Sequence, residues 1–420
     1  MANPVIFHID VNSAFLSWES VRRLQNGENN DLREIASVIG GNEENRHGIV
    51  LAKSTLAKGY GIVTGEPLIK ARQKCPNLVV AAPNFDFFVK CSNDFMELLR
   101  KYAPVVEQYS IDEAFCDMTG TEHLYGNLVD FAAKIKDEIY ETLGFTVNIG
   151  ISTNKLLAKM ASDFRKPNLV HTLFPEEVAE KLWPLPVDEL FFVGRSTATK
   201  LHGFGIHTIG DLAKTDINII RHHFKKHGEV IHNYANGRDV GMSMDHNADN
   251  KSYGNSITLK YDVTDIQSAN RILLSLCETV GARIRADKAY ISVVSVNITD
   301  AEFNHYSRQT TLASATNVTE KIYETAVQLF KDCWKGEPIR LLGVSTGKAT
   351  NEHFEQYDLF DQTKNERLSK LNSAIDKIRG RYGEDSVKRA CFVESSDNSH
   401  RPITDHMTGG INKAKRNHID

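Results

Sequence analysis

Short apolar runs alternate with amphipathic segments along the first part of the chain. An unbroken apolar run predicts a buried strand, whereas apolar residues three or four positions apart predict one face of a helix. The runs fall at residues 5–10, 49–52, 78–82 and 147–151, and the helical spacing falls at residues 12–24, 85–102 and 128–143. This alternation predicts a mixed α/β layer rather than a helical bundle.

Two segments interrupt the alternation. Val105-Val106 and Ala114-Phe115-Cys116 flank an acidic pair and predict a β-hairpin. Residues 25–46 are polar and rich in Asn, Glu and Gly, so we expect them to form a surface excursion.

The pattern changes after Pro175, where helical segments separated by glycine continue to Gly241. From residue 256 to 348 the order is strand, helix, strand, strand, helix, strand, which is a split βαβ unit. Beyond residue 364 one amphipathic helix is predicted, followed by a polar end that we expect to be poorly ordered. The apolar positions of that helix are Leu368, Leu371, Ile375 and Ile378.

Size and composition indicate a multidomain globular protein. A chain of 420 residues exceeds one ordinary core, so we expect about two to four domains. No apolar run approaches the roughly 18 residues that span a bilayer, and no secretory signal is visible. Six cysteines without a CxxC pair favour reduced thiols in a cytoplasmic protein over disulfides or structural zinc. The formal charge of -4 neither supports nor excludes DNA, because DNA responds to local patches.

Three carboxylates stand at the ends of predicted strands. Asp10 closes the first apolar run, and Asp112 and Glu113 form the acidic pair of the hairpin. Since consecutive strand residues point to opposite faces, Asp112 and Glu113 share a site only where the strand ends or bends. Such carboxylates, with a cation nearby, suit divalent metal ions bound to a triphosphate. Taken singly, each acid is more often a residue of a solvated turn or a helix cap.

The segments around these acids resemble motifs of the Y-family DNA polymerases, the lesion-bypass class of the DinB and UmuC proteins. YSIDEA at residues 109–114, GISTNKLLAK at residues 150–159 and Lys166-Pro167 follow one another in the family's order. The resemblance implies an α+β multidomain fold shaped like a right hand, with an α/β palm, small fingers, a helical thumb with a helix-hairpin-helix, and a βαββαβ little finger. The implied domains are the palm (1–12 and 75–168), fingers (13–74), thumb (169–242), linker (243–251), little finger (252–350) and C-terminal tail (351–420).

The resemblance also implies roles at the catalytic site. Asp10 and Asp112 would bridge two magnesium ions, Glu113 would bind the catalytic ion, and the Val11 carbonyl would complete the nucleotide-side ion. Transfer of a nucleotide to a primer 3′-hydroxyl uses two such ions. The implied nucleotide-binding residues are Asn12, Ser13, Ala14, Phe15, Thr55, Lys58 and Lys166.

Several of these nucleotide contacts need separate comment. Phe15 stands where the family places a bulky steric gate against the ribose 2′-hydroxyl, although the pattern alone equally allows a core Phe. Many relatives have Tyr and Arg where Thr55 and Lys58 stand, and lysine keeps the charge without the bidentate fork. Asn12 replaces an Asp frequent in DinB relatives. A lysine such as Lys166 is usually a solvated surface group, so its role depends on the matched motif.

Residues 192–201 and the turn at 203–206 resemble a helix-hairpin-helix, whose backbone N–H groups bind DNA phosphates without reading sequence. Phe192 replaces the usual first glycine, and two helices joined by a glycine turn are the alternative. The implied DNA contacts are Gly194, Arg195, Ser196, Gly203, Gly205 and, on the little finger, Arg308. Further candidates for phosphate contacts are Lys260, Arg283, Arg285 and Lys288.

Gln356-Tyr357-Asp358-Leu359-Phe360 resembles the QxxLF-type peptide by which bacterial polymerases bind the sliding clamp, the β subunit. Such an extended peptide inserts its apolar pair into a pocket while the glutamine is hydrogen-bonded. The implied partner-binding residues are Gln356, Asp358, Leu359 and Phe360. The alternative is a linker whose apolar pair packs on its own domain. Residues 379–383 resemble the tail of UmuC-like members more than DinB.

We therefore expect a monomeric, cytoplasmic DNA-directed DNA polymerase of low fidelity and low processivity. Its partners would be primer-template DNA, deoxynucleoside triphosphates, magnesium and the sliding clamp, with no membrane. Two alternatives are a polymerase-like adaptor that has lost catalysis and a nucleotidyl cyclase. A cyclase also uses strand-end acids and two metals, but it needs no primer.

Overall fold

The computed structural model describes residues 4–41, 48–241, 250–351, 362–383 and 386–392. Contacts among them divide the chain into two compact units, with the main break between residues 247 and 248. In the part of the chain that the structure describes, no helix is long and apolar enough to cross a membrane.

A central sheet organises the first unit. Its strands are β1 (Ile6–Val11), β5 (Val105–Gln108), β6 (Glu113–Asp117), β7 (Val147–Ser152) and β8 (Val170–Thr172). The strand order is β5-β6-β1-β7-β8, antiparallel except for the parallel pair β7 and β8. Every residue of β1 and β7 is buried, as the apolar runs predicted.

The two faces of β1 have different neighbours. Phe7 and Ile9 lie in the main core of this unit. That core also takes in residues of α1 (Ala14–Gln25), α4 (Phe85–Arg100) and α6 (Leu128–Leu143). The alternate residues face the other side, where Ile6 packs on Ala158 of α7 (Lys155–Asp163) and His8 bonds to Ser162. Since side chains alternate along a strand, Asp10 lies on the same side as His8.

Gly150 allows α7 to lie close to the sheet. A Cβ atom at this position would stand 2.0 Å from the Ala158 carbonyl oxygen and 2.4 Å from the Ser162 nitrogen. These neighbours are backbone atoms, which cannot move aside as a flexible side chain could. The glycine therefore sets the distance between β7 and the helix that carries Lys155 and Lys159.

A smaller sheet corrects one sequence prediction. Its strands, in the order β3-β2-β4, are β2 (Ser37–Gly40), β3 (Val50–Lys53) and β4 (Val79–Ala81), and its helices are α2 (Thr55–Gly59) and α3 (Leu68–Lys74). The segment predicted as a surface excursion thus contains a fully buried strand, β2. Its four residues are too few to display the alternation of apolar and polar positions that would predict a strand. Because β4 pairs with β2, this sheet also runs past the boundary predicted between residues 74 and 75.

Helices dominate residues 195–235 of the first unit, as predicted. They are α8 (Arg195–Gly203), α9 (Ile209–Lys214) and α10 (Ile217–Ala235), and the short α5 (Glu122–Tyr125) precedes α6. α10 is broken at Lys225, whose φ is 56°. Arg221 and Glu229, eight residues apart, form an ion pair of 2.5 Å across the break, so the two halves fold against each other. The glycine-separated pattern gave no sign of this reversal at a lysine.

The second unit has the predicted βαββαβ order. Its elements are β9 (Ser252–Val263), α11 (Ile266–Ala286), β10 (Ile291–Asp300), β11 (His305–Thr316), α12 (Thr319–Cys333) and β12 (Ile339–Gly347). The sheet is antiparallel in the order β11-β10-β12-β9. Side chains of α11 and α12 share one core with β10 and β12, whereas most of β11 is exposed.

The helix predicted beyond residue 364 is present as α13 (Gln362–Tyr382), but two of its four apolar positions are exposed. Leu371 and Ile378 are 50% and 40% exposed, whereas Asn372 and Arg379 are buried. Charge explains the difference, because α11 and α12 present Glu278, Arg285 and Glu320 to this helix. Their partners are Arg379 and Arg389 for Glu278, Asp376 for Arg285, and Asn372 and Arg389 for Glu320.

Replacement of Gly150 by alanine tests the packing of α7. Because the new methyl group would meet backbone atoms, we expect Gly150→Ala to lower the free energy of unfolding by about 3 kcal/mol or more. Denaturant unfolding of the purified protein measures this change. Gly59→Ala is the control, since a Cβ at Gly59 meets nothing within 4 Å. It should change stability by less than about 0.5 kcal/mol, and equal stabilities for the two variants would contradict the packing argument.

Candidate active site

The structure brings the three predicted carboxylates to one end of the central sheet. Asp10 on β1 lies opposite Glu113 on β6 in the strand register. Asp112 lies in the bend just before β6, and its carbonyl accepts a 3.0 Å hydrogen bond from the Val11 nitrogen. The bend removes the alternation that would otherwise separate two consecutive side chains. The acids are therefore gathered by strand pairing between residues about a hundred positions apart.

Two lysines from the region of α7 neutralise two of these acids. Lys166 bonds to the carboxylate of Asp10 and also lies 2.8 Å from Asp163. Lys159 lies 2.5 Å from Glu113, and its ammonium group stands over the rings of Tyr109 and Phe191. Lys166 was predicted as a nucleotide contact, whereas Lys159 was not assigned a role.

His8 completes the surroundings of Glu113. Its Nε2 lies 3.3 Å from a carboxylate oxygen of Glu113, and its Nδ1 lies 2.7 Å from the Ser162 hydroxyl. Burial lowers the pKa of His8, which favours the neutral ring. Sequence analysis missed His8, although its position two residues before Asp10 on a strand was a usable signal.

The three carboxyls differ in their affinity for protons. Burial raises the pKa of Asp10 to about 6, even though Lys166 acts in the opposite direction. Burial also raises the pKa of Asp112, partly opposed by the Ser110 hydroxyl at 2.6 Å. Burial raises that of Glu113 too, but the bonds from His8 and Lys159 outweigh it and hold its pKa at about 2. Around Asp10 and Asp112, the nearby positive charge therefore does not outweigh the cost of burial.

A divalent cation fits the chemistry of this site. Among the described residues, no three His, Cys, Asp or Glu side chains are grouped closely enough to hold a metal ion. The reason is local, because Glu113 is turned to Lys159 and Asp10 is turned to Lys166. The donors are carboxylate oxygens without sulfur, which hard cations such as magnesium prefer.

Both the oxygen and the nitrogen of the Asn12 side-chain amide have protein partners. Its oxygen accepts from the Thr146 hydroxyl at 3.0 Å and from the Asn168 nitrogen at 2.9 Å, and its NH₂ group donates to Asn148 at 3.2 Å. These bonds connect β1 to the turn that carries Lys166. The predicted nucleotide contact by Asn12 stays a prediction, and the observed bonds give the residue a role in positioning that turn.

The other predicted nucleotide residues lie on two helices. Ser13 is exposed at the start of α1 with φ of 47°, and Ala14 is buried behind it. Phe15 is partly buried, with its ring stacked on Phe88. Thr55 and Lys58 are exposed on α2.

The predicted helix-hairpin-helix contains two exposed turns. Gly194, Arg195 and Ser196 are exposed where α8 begins, and Gly203 and Gly205 are exposed where it ends. Phe192 has φ of 75°, so it adopts the left-handed conformation that the usual glycine would take. The substitution therefore keeps the backbone turn.

The remaining predicted contacts concern the second unit. Arg308 is exposed on β11, which leaves it accessible. Arg285 is instead bonded to Asp376, Asn317 and Asn372, so its guanidinium is used inside the unit. Gln356, Asp358, Leu359 and Phe360 lie outside the described residues, and the clamp motif stays a prediction.

Comparisons with known proteins agree with these features. The family model for the impB/mucB/samB family matches residues 9–163, that family's C-terminal domain matches residues 250–359, and its HHH motif matches residues 175–206. A protein named DNA polymerase IV from Clostridium acetobutylicum is 47% identical over 396 residues, covering 94% of this chain and 100% of its own. Another of that name, from Alkaliphilus oremlandii, is 38% identical over 405 residues, covering 93% and 99%.

A solved structure matches at the level of the fold. A Y-family DNA polymerase chimera of Dbh and Dpo4 superposes with a TM-score of 0.70 at 23% identity, covering 83% of this chain and 100% of its own. This likeness shows that the two proteins share their fold. The chain belongs to the impB/mucB/samB family, as the matches along most of its length show.

The raised pKa of Asp10 predicts that the ionised carboxylate lowers the stability of the folded protein. Its folded-state value of about 6 lies above the ordinary 3.8, so its contribution to stability is complete below about pH 4 and is lost as the pH rises through 6. In protein freed of metal by a chelator, Asp10→Asn should therefore raise the free energy of unfolding at pH 7.5 by on the order of 2 kcal/mol, with the gain vanishing near pH 4.

Denaturant unfolding at several pH values measures this gain. Asp137→Asn on α6 removes an exposed carboxylate and should change stability by less than about 0.5 kcal/mol. A loss of stability in Asp10→Asn at pH 7.5 would show that the pair with Lys166 outweighs burial.

Proposed function

We propose that this DNA-directed DNA polymerase of the lesion-bypass class adds deoxynucleotides to a primer 3′-hydroxyl through the acids at the end of the central sheet. The observation that carries the proposal is the convergence of Asp10 on β1 with Asp112 and Glu113 at the start of β6, with Lys166 beside them. Primer-template DNA and deoxynucleoside triphosphates are the substrates that this activity requires.

Two magnesium ions would be held by Asp10, Asp112, Glu113 and the Val11 carbonyl. Bound there, they would supply positive charge to the attacking and leaving oxygens of the phosphoryl transfer. The site supports this role because its acids are buried, oxygen-only and only partly neutralised. Burial raises the pKa values of Asp10 and Asp112, and a bound cation would favour their ionised forms.

Lys166 and Lys159 would have different tasks in this proposal. Lys166 is partly exposed and bonded to Asp10, so it can exchange that carboxylate for a triphosphate oxygen. Lys159 is nearly buried and shares Glu113 with His8, so it holds that carboxylate in orientation. Ser13, Ala14, Thr55 and Lys58 are the further proposed triphosphate contacts.

Phe15 would select the sugar. A rigid ring against the ribose leaves no space for a 2′-hydroxyl, and the partly exposed Phe15 at the start of α1 suits this role. The turns at Gly194–Ser196 and Gly203–Gly205 would hold the DNA backbone through their N–H groups, with Arg308 as a further phosphate contact.

The proposed clamp contact uses Gln356, Asp358, Leu359 and Phe360. Its support is the QxxLF-type pattern at a position between β12 and α13. The protein would act as a monomer that the clamp keeps on DNA, and low processivity without the clamp is the matching expectation.

Substitution of the acids tests the catalytic proposal. Asp112→Asn and Glu113→Gln should each lower the rate of primer extension by at least about 10²-fold, because they remove charge where the transition state needs it. Fluorescence anisotropy with labelled primer-template DNA should show binding within about twofold of the unmodified protein. Glu97→Gln, on the exposed face of α4, is the matched control and should keep full activity. Normal extension by both acid variants would reject the proposed role of the acids. No extension by the unmodified protein would favour an adaptor, and product without a primer would favour a cyclase.

Substitution of the peptide tests the clamp proposal separately. Changing Gln356, Leu359 and Phe360 together to Ala should abolish stimulation of synthesis by the β clamp while extension without the clamp persists. Lys364→Ala, just beyond the peptide, serves as the control. Equal stimulation of the triple variant and the unmodified protein would exclude this peptide as the contact.

A further inference from the structure

The ring of Phe15 is held by two aromatic residues of α4. Phe15 and Phe88 are stacked, with 4.9 Å between ring centroids and 10° between ring planes. Phe85 meets both rings edge-on, with centroids 6.1 Å from Phe15 and 5.9 Å from Phe88 and an angle of 85° in each case. The three rings form a closed group, which we name the α4 aromatic support of Phe15.

Phe88 itself has no room to move. It is fully buried, and the ring of Trp18 lies 5.9 Å from it on the side of α1. Trp18 is also fully buried and contacts Phe145 edge-on at 6.2 Å. The flat face that Phe88 offers to Phe15 is therefore fixed by the core of the first unit.

A steric gate excludes a hydroxyl group only if its ring cannot swing aside. Phe15 is partly exposed at the first turn of α1, so its own helix leaves one side of the ring open. The stacked face of Phe88 blocks retreat on the other side, and stacking adds attraction beyond the buried area. Loss of that face would leave space into which the Phe15 ring could turn.

We propose that Phe88, assisted by Phe85, is a positioning residue for sugar selection, which it exerts by fixing the ring of Phe15. This inference rests on the proposed role of Phe15 as the gate. Neither residue of α4 needs to touch the nucleotide.

The experiment compares kcat/KM for a deoxynucleotide and the matching ribonucleotide in single-nucleotide primer extension. Phe88→Leu keeps an apolar side chain but removes the flat face, and it should raise relative ribonucleotide use about tenfold. Phe85 is less buried than Phe88, so Phe85→Leu should disturb folding less. It should raise relative ribonucleotide use about threefold. Phe15→Ala should exceed both.

Phe95→Leu is the matched control. Phe95 is fully buried on the same helix, but its ring partner is Phe145 at 6.3 Å rather than Phe15. Its substitution should lower the unfolding midpoint as Phe88→Leu does, while the ratio of the two sugars stays unchanged. A core residue without a role in selectivity would behave in this way.

A double variant separates action through Phe15 from an independent effect. Phe15→Ala with Phe88→Leu should select sugars no worse than Phe15→Ala alone, because the second change has no ring left to release. An additive rise in ribonucleotide use, or equal ratios for Phe88→Leu and Phe95→Leu, would overturn the inference while leaving the gate intact. No change in Phe15→Ala would reject the gate itself and the inference with it.

Discussion

The placement of α7 in the first unit is tied to the balance between buried carboxylates and lysines at one end of the central sheet. Three carboxylates meet there because β1, β6 and the bend before β6 are paired, and burial works against their ionisation. Lys159 and Lys166 provide counter-charge, and both depend on the placement of α7 and the turn after it. Gly150 sets that placement by allowing backbone to approach backbone. Gly150 thus affects the charges of the site indirectly, because it determines where Lys159 and Lys166 lie.

The balance is uneven in a way that suits metal-dependent chemistry. Glu113 has two protein partners that favour its ionised form, whereas Asp10 and Asp112 remain costly to ionise in this environment. Lys166 pairs with Asp10, and the Ser110 hydroxyl bonds to Asp112, but neither partner outweighs burial. A cation bound beside these two carboxyls would therefore favour their ionised forms.

Sequence alone predicted much of the fold because its signals are local. The apolar run of β1, the periodicity of α6 and the βαββαβ order each lie within a short stretch of chain. The strand β2 escaped because four residues cannot display a period. Apolar spacing predicted the helix α13 but did not show which of its residues are buried, because charged partners on α11 and α12 compete for the interface. Here the buried carboxylate of Glu278 attracts Arg379 to the interface.

The candidate site residues that sequence analysis found are those that belong to short sequence motifs. The three acids and Lys166 are adjacent to strand ends or a Lys-Pro step, which the sequence displays directly. The contacts of His8 and Lys159 with Glu113 depend on how a strand and a helix pack across roughly a hundred residues of chain. The stacking of Phe15 on Phe88 depends equally on the tertiary structure.

The polar attachment of α13 has a practical consequence for shortened forms of the protein. A chain ending at residue 351 would lack both Arg379 and Arg389, which are the ion-pair partners of Glu278. It would also lack Asp376, the partner of Arg285. Truncation would therefore remove ion pairs from the second unit itself, in addition to whatever the tail binds.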